Sequence, residues 1–193
     1  MTKSVSISTV IVILFGLSIL PSNVIANHHE ANGTQKSTKQ DFTEMCKLFE
    51  GRWAVDIIWI NEWPGAGAVR GETVRGYSKF ERVLDGASLR WSGMQGNEEA
   101  QGFMYYDAGA SLIRSVRLTS GGNYSQAVMW KISESVYGFK LERSGQKDGS
   151  ALTGSGRWTF SNGGKRLKVT SNNFKSDGKK LGELKDTFHK VSP

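Results

Sequence analysis

From Trp53 onward, apolar and polar positions alternate. In RWAVDIIWI, the side chains of Trp53, Val55, Ile57 and Trp59 fall on one face of an extended chain. Turn signals then recur at Asp85-Gly86, Asp107 to Gly109, Gly121-Gly122-Asn123, Asp148-Gly149, Asn162-Gly163-Gly164 and Asp177-Gly178. They divide the chain into ten strand-like runs, at 52–60, 71–83, 87–95, 101–106, 111–119, 123–132, 136–143, 152–160, 165–174 and 181–191. One stretch ahead of them has a different period. In DFTEMCKLF, Phe42, Met45, Cys46 and Phe49 recur at i, i+3, i+4 and i+7, which predicts a short helix capped by Asp41 and ended by Gly51. A single helix followed by evenly spaced hairpins predicts an all-β fold: an antiparallel meander β-barrel of about 8–10 strands behind one short helix.

The N-terminal part has another character. Lys3 is the only charge before an apolar run from Val10 to Leu20, Pro21 breaks the run, and Val24-Ile25-Ala26 offers a cleavage site. Residues 1–26 therefore read as a signal peptide, with export to the periplasm or the medium after cleavage near Ala26. The apolar run is about half of the ~20 residues that span a bilayer, so no membrane span is expected. Residues 27–40 are polar and aperiodic and read as a flexible leader, which leaves 41–193 as the barrel domain. One cysteine cannot form an internal disulfide, so packing must hold the fold.

Charge changes the picture little. The chain carries a formal +7, and Lys165 to Lys190 holds eight Lys or Arg against Asp177, Glu183 and Asp186. Such spread lysines usually form a solvated face that blunts sheet edges, with weak contact with anionic surfaces as the alternative use.

Candidate chemistry is sparse. His28 and His29 lie in the leader, where two ligands make a weak metal site, and His189 stands in antiphase with Phe188 and reads as outward. Cys46, on the helix's apolar face, reads as a small buried residue. The chain has no nucleophile elbow, phosphate-binding Gly-rich loop or zinc spacing. Asn32 and Asn123 head Asn-x-Ser/Thr triplets. More informative are polar residues on apolar faces. In LIRSVRL, Arg114 shares a face with Leu112, Val116 and Leu118, although Ile113 argues for the opposite one. In YSQAVMWKI, Gln126 shares a face with Tyr124, Val128, Trp130 and Ile132. Read as inward, these faces carry Arg114 and Gln126 into the barrel, among walls that include Trp59, Trp91, Tyr105 and Trp130. A buried guanidinium needs an anionic partner, either Asp56, Glu72 or Asp186 of the protein or the carboxylate of a ligand. The Gly-rich segment Asn61 to Gly71 reads as a lid over the mouth.

Gly51 and Trp53, with the helix before them and the hairpin order after them, resemble the lipocalin and wider calycin group of β-barrels. The turns YYDAG and SDGK look most like those of small secreted bacterial proteins with lipocalin-like barrels, and MWKISES is similar to the tryptophan strand of avidins. The resemblance implies a helix that closes one end and Trp53 as the plug of the barrel floor. It also implies a cation over that ring from near the last strand, here Lys185 or Lys190. Some barrels hold haem through one His near the C-terminus, which would be His189. The function expected is an exported binding protein that holds a small apolar or anionic amphipathic ligand in or at the mouth of the barrel. No cofactor, metal or nucleic acid is expected with it. The alternatives are a small barrel isomerase or hydrolase using Asp56 or Asp107 beside Arg114, and an envelope interaction protein using the basic C-terminal strands.

Overall fold

A computed structural model describes residues 36–60 and 69–192. The expected signal peptide, His28, His29, Asn32 and most of the expected lid lie outside the described residues. The elements are helix α1 (Lys39–Phe49) and strands β1 (Gly51–Ile58), β2 (Thr73–Val83), β3 (Ser88–Gln95), β4 (Glu98–Asp107), β5 (Leu112–Thr119), β6 (Tyr124–Ser133), β7 (Val136–Gly145), β8 (Leu152–Thr153), β9 (Ser155–Ser161), β10 (Arg166–Ser171), β11 (Lys175–Ser176), β12 (Lys179–Lys180) and β13 (Leu184–Ser192). Ten of the strands form a closed antiparallel barrel in the order β1-β13-β10-β9-β7-β6-β5-β4-β3-β2. Every neighbour is a chain neighbour among the barrel strands, except that β1 pairs with β13 to close the ring, with Val55 opposite Phe188. The all-β meander and its single helix are thus as the periodicity predicts.

Several boundaries differ from the sequence reading, three of them for a clear local reason. The expected strand 152–160 is broken at Gly154, whose φ of +155 only glycine adopts readily, with Phe174 packed against its Cα. Leu152–Thr153 leaves the wall there and joins β11 and β12 in a small three-stranded sheet. The helix starts earlier than expected. Thr38, not Asp41, is the N-cap; Asp41 is the third helical residue and completes a capping box, accepting from Thr38 N–H at 2.8 Å while its own N–H donates to Thr38 Oγ1 at 3.1 Å. The end of the supposed leader also belongs to the folded body, because Ser37 is buried and its N–H donates to Ser111 O at 2.8 Å.

The floor of the barrel answers why Gly-x-Trp stands at this border. Helix α1 buries Phe42, Met45, Cys46 and Phe49. Gly51, at φ +121, turns the chain directly from helix into β1. Two residues on, Trp53 is 1 % exposed; its indole N–H donates to Phe49 O at 2.7 Å. The Lys190 ammonium lies 4.8 Å from the Trp53 ring centroid and donates to Leu48 O at 2.9 Å, so one cation both covers the ring and caps the helix's C-terminal end. Phe49 meets Phe80, Trp158 and Phe160 at centroid distances of 4.8–5.0 Å, which fills this half of the barrel with rings. No helix among the described residues is long and apolar enough to cross a membrane.

Candidate functional site: a cavity at the far end of the barrel

The end opposite α1 is built differently. It is bounded by the last residues of β1, β3, β5 and β7 and the first of β13, and between them lies a cavity of about 220 Å³. Its lower wall is apolar: Ile57, Phe80, Trp91, Met104, Met129, Phe139, Trp158 and Phe188. The rings brace one another, with Trp91 stacked on Phe80 at 6.3 Å, and Trp158 edge-on to Phe139 at 6.2 Å and stacked on Phe188 at 6.5 Å. Trp59, Leu152, Phe174 and Leu184 line it nearer the rim.

Most polar residues of the cavity sit together from β5 to the start of β6, with Gln95 on β3, Gln146 just after β7 and Asp186 on β13. Ser115, Arg117 and Thr119 alternate along β5 and share its inner face. The Arg117 guanidinium is enclosed by the barrel; it donates through Nη2 to Gln95 Oε1 at 2.6 Å and lies 5.2 Å from the centroid of Trp91. Loss of solvent pulls its pKa down, against the fields of Glu98 and Asp186, and from so high a starting value it remains a cation. Beside it, Glu98 is buried and its Oε1 accepts from Thr119 Oγ1 at 2.6 Å and from Asn123 Nδ2 at 3.0 Å. Asn123 is 7 % exposed and its Oδ1 accepts from Lys147 N–H, so in the folded chain this Asn-x-Ser triplet is closed to glycosylation.

Asp186 faces the cavity from β13. The β1–β13 ladder stops at Asp56 opposite Thr187, and the next free backbone donor, the Ile58 N–H, is taken by Asp186 Oδ1 at 3.1 Å. Burial pushes this carboxyl up to about 7, against the lowering effects of that N–H and of Arg117.

Of the residues read from the sequence as ligand-binding, Trp59 and Trp91 line the cavity. Arg114, Gln126, Tyr105 and Trp130 do not; they stand on the outer face of β4–β6. Arg114 is paired there with Asp107 and with Glu142, both at 2.7 Å, so none of the three carboxylates first considered is its partner. Trp130 lies across Gly138 of the neighbouring strand, and Tyr105 is 36 % exposed opposite Arg114. The error is one of phase: a slip of one residue turns every side chain of a strand to its other face. Ile113 was the signal that pointed the right way, and Arg117, in the same stretch, is the cation that enters. The carboxylates proposed for catalysis also sit outside, Asp107 on Arg114 and Asp56 3.6 Å from Arg75. His189 is exposed on the outer wall, and Cys46 is buried in the floor with its thiol pushed up to about 11 by desolvation. Among the described residues no three His, Cys, Asp or Glu side chains come together as a metal site. The chain matches none of the protein-family models and none of the curated proteins with which it was compared, so the reading of this cavity rests on its own geometry.

Proposed function

We propose that this chain is an exported binding protein of calycin type that holds a small amphipathic ligand in the cavity opposite α1. The observation that carries the reading is the division of the barrel into a floor packed with rings and a hollow far end, lined by aromatic side chains and entered by one guanidinium. Apolar enclosure with a few placed polar groups is the usual construction of a small-molecule pocket. The calycin kinship is supported by Gly51-x-Trp53 over the closing helix and by Lys190 lying on Trp53. Export is supported by the pattern of residues 1–26.

Asp186 favours a second reading, a small barrel isomerase, since a cavity carboxyl titrating near neutrality is suited to proton transfer. Catalysis of that kind ordinarily uses a second group beside the first, and the cavity's other charge, Arg117, does not exchange protons. Binding is therefore the better-supported function.

Tryptophan emission titrated with 4-phenylbutyrate tests it, because Trp59, Trp91 and Trp158 all line the cavity. A saturable change is expected in the wild type and not in Ala127→Phe, which fills the cavity from β6. The same linear, non-saturating response in both proteins would overturn the proposal.

A further inference from the structure

The outer face of the last barrel strands is built unlike the rest of the wall. Arg157, Thr170 and Lys185 stand in one row across β9, β10 and β13, and Thr159, Lys168 and Thr187 in the next. Partners in a row point to the same side of the sheet, and the rows are two residues apart, so cation and hydroxyl alternate in both directions. All six point away from the core, because Phe160, Leu167, Val169 and Phe188, which alternate with them, are buried inside. Arg166 continues the array on β10. Strand spacing puts Lys168 about 8 Å from both Arg157 and Lys185, within one screening length, so their fields add.

The cations here differ from those elsewhere in having no acid beside them. From Ser155 to Ser176 the chain has no Asp or Glu, and Asp186 turns inward to the cavity. On the other walls cations are matched: Arg75 with Asp56, Lys79 and Arg90 with Glu81, Arg114 with Asp107 and Glu142. Lys185 has Glu183, but among the described residues Arg157, Arg166 and Lys168 form no ion pair. Protection of sheet edges explains Lys179 and Lys180, since β12 is paired on one side only. It does not explain β9 and β10, which are hydrogen-bonded on both sides in a closed ring and have no edge.

An unmatched cation array is complementary to a polyanion, and its surroundings select the kind. Trp130 lies across Gly138, which is paired with Arg157, so an indole borders the array. The C–H faces of sugar rings pack on such a ring, and sugar hydroxyls exchange hydrogen bonds with threonines. A single aromatic is a poor platform for successive nucleic-acid bases, which stack on several. A bilayer fits less well too, since no apolar side chain projects between the cations and a convex wall meets a plane along one line.

We infer that the outer face of β9, β10 and β13 binds a linear anionic polysaccharide, whose sulfate, phosphate or carboxylate groups meet Arg157, Arg166 and Lys168. This site is separate from the cavity and stands or falls without it.

Calorimetric titration with dextran sulfate, at about 50 and about 200 mM salt, tests this, with uncharged dextran as the matched control. Saturable binding of dextran sulfate and none of dextran is expected. Arg157→Gln/Arg166→Gln/Lys168→Gln should lower the affinity at least about tenfold and make the log–log salt dependence shallower by about 2, the share of three contacts to a single-stranded polyanion. Arg75→Gln/Lys79→Gln/Arg90→Gln removes the same charge from β2 and β3 and should stay within about threefold of the wild type. An equal fall in both triple variants would reduce the effect to net charge and overturn the inference, as would a lack of saturable binding to dextran sulfate or equal binding of dextran. Tighter binding of the wild type to oligothymidylate of matched charge, or to phosphatidylcholine vesicles containing phosphatidylglycerol, would give the face to nucleic acid or to membrane and overturn it as well. These wild-type comparisons need no variant to fold, and the folding of both triple variants is checked by their unfolding transitions.

Discussion

Asp186 ties the cavity to stability. Its pKa is about 7 in the folded chain against an ordinary 3.8, so the folded state keeps a proton that the unfolded chain releases above about pH 4. The stability this contributes is present below pH 4 and is lost as pH rises through 7. Asp186→Asn, a neutral side chain of nearly the same shape, should therefore gain on the wild type by about 2–4 kcal/mol between pH 4 and pH 8, read from urea unfolding at several pH values. A constant difference across that range would mean that Asp186 is not held protonated. Trp53 makes a plainer case at the same scale. It is buried, hydrogen-bonded to Phe49 O and covered by Lys190, so Trp53→Ala should cost about 3–5 kcal/mol in the same assay. A cost below about 1 kcal/mol would remove its role as a floor plug.

At the scale of elements, the helix depends on a cap that lies in what reads as leader. Thr38→Ala should lower stability by about 1 kcal/mol in denaturant, since it removes the acceptor for the Asp41 N–H. A truncation ending at residue 35 should be tolerated better than one ending at residue 40, which also deletes the Ser37 anchor. The sequence made the strands legible because period two and Asx-Gly turns are local signals, and all ten barrel strands were found. The face of β4–β6 was not legible, and the reason is physical. Alternation reveals the inner face only where the interior is packed with large apolar groups. Beyond Met104 and Met129, the inner residues of β4–β6 toward the open end are Ala100, Gly102, Ser115, Arg117, Thr119, Ser125 and Ala127, small or polar, while Phe103 and Leu118 stand outside, 48 % and 59 % exposed. A hollow interior reversed the contrast on which the reading depended. Near the floor, where Trp53, Phe80 and Phe160 fill the space, the same rule read the face of β1 correctly.

Over the described residues the barrel has two halves, packed where α1 and the rings close it and hollow where they do not. Under the proposed binding function the division has a use, because the packed floor supplies folding stability and lets the far end stay underfilled. Arg117 was missed at this scale too, since its partner Gln95 and its supporting ring Trp91 come from β3, and such proximity is created only when the sheet curls. Curling has one more effect. The wall is completed by β1 meeting β13, the first and last strands of the domain, at Val55 and Phe188. A chain emerging from the ribosome presents β1 long before β13 exists for it to join. Throughout that interval the two strands that border the gap, β1 and at last β10, have unsatisfied edges. Contacts so distant along the chain form slowly. The time between the appearance of Gly51 and that of Ser192 is therefore when this protein is most exposed to aggregation, and when a holding chaperone would be of most use to it.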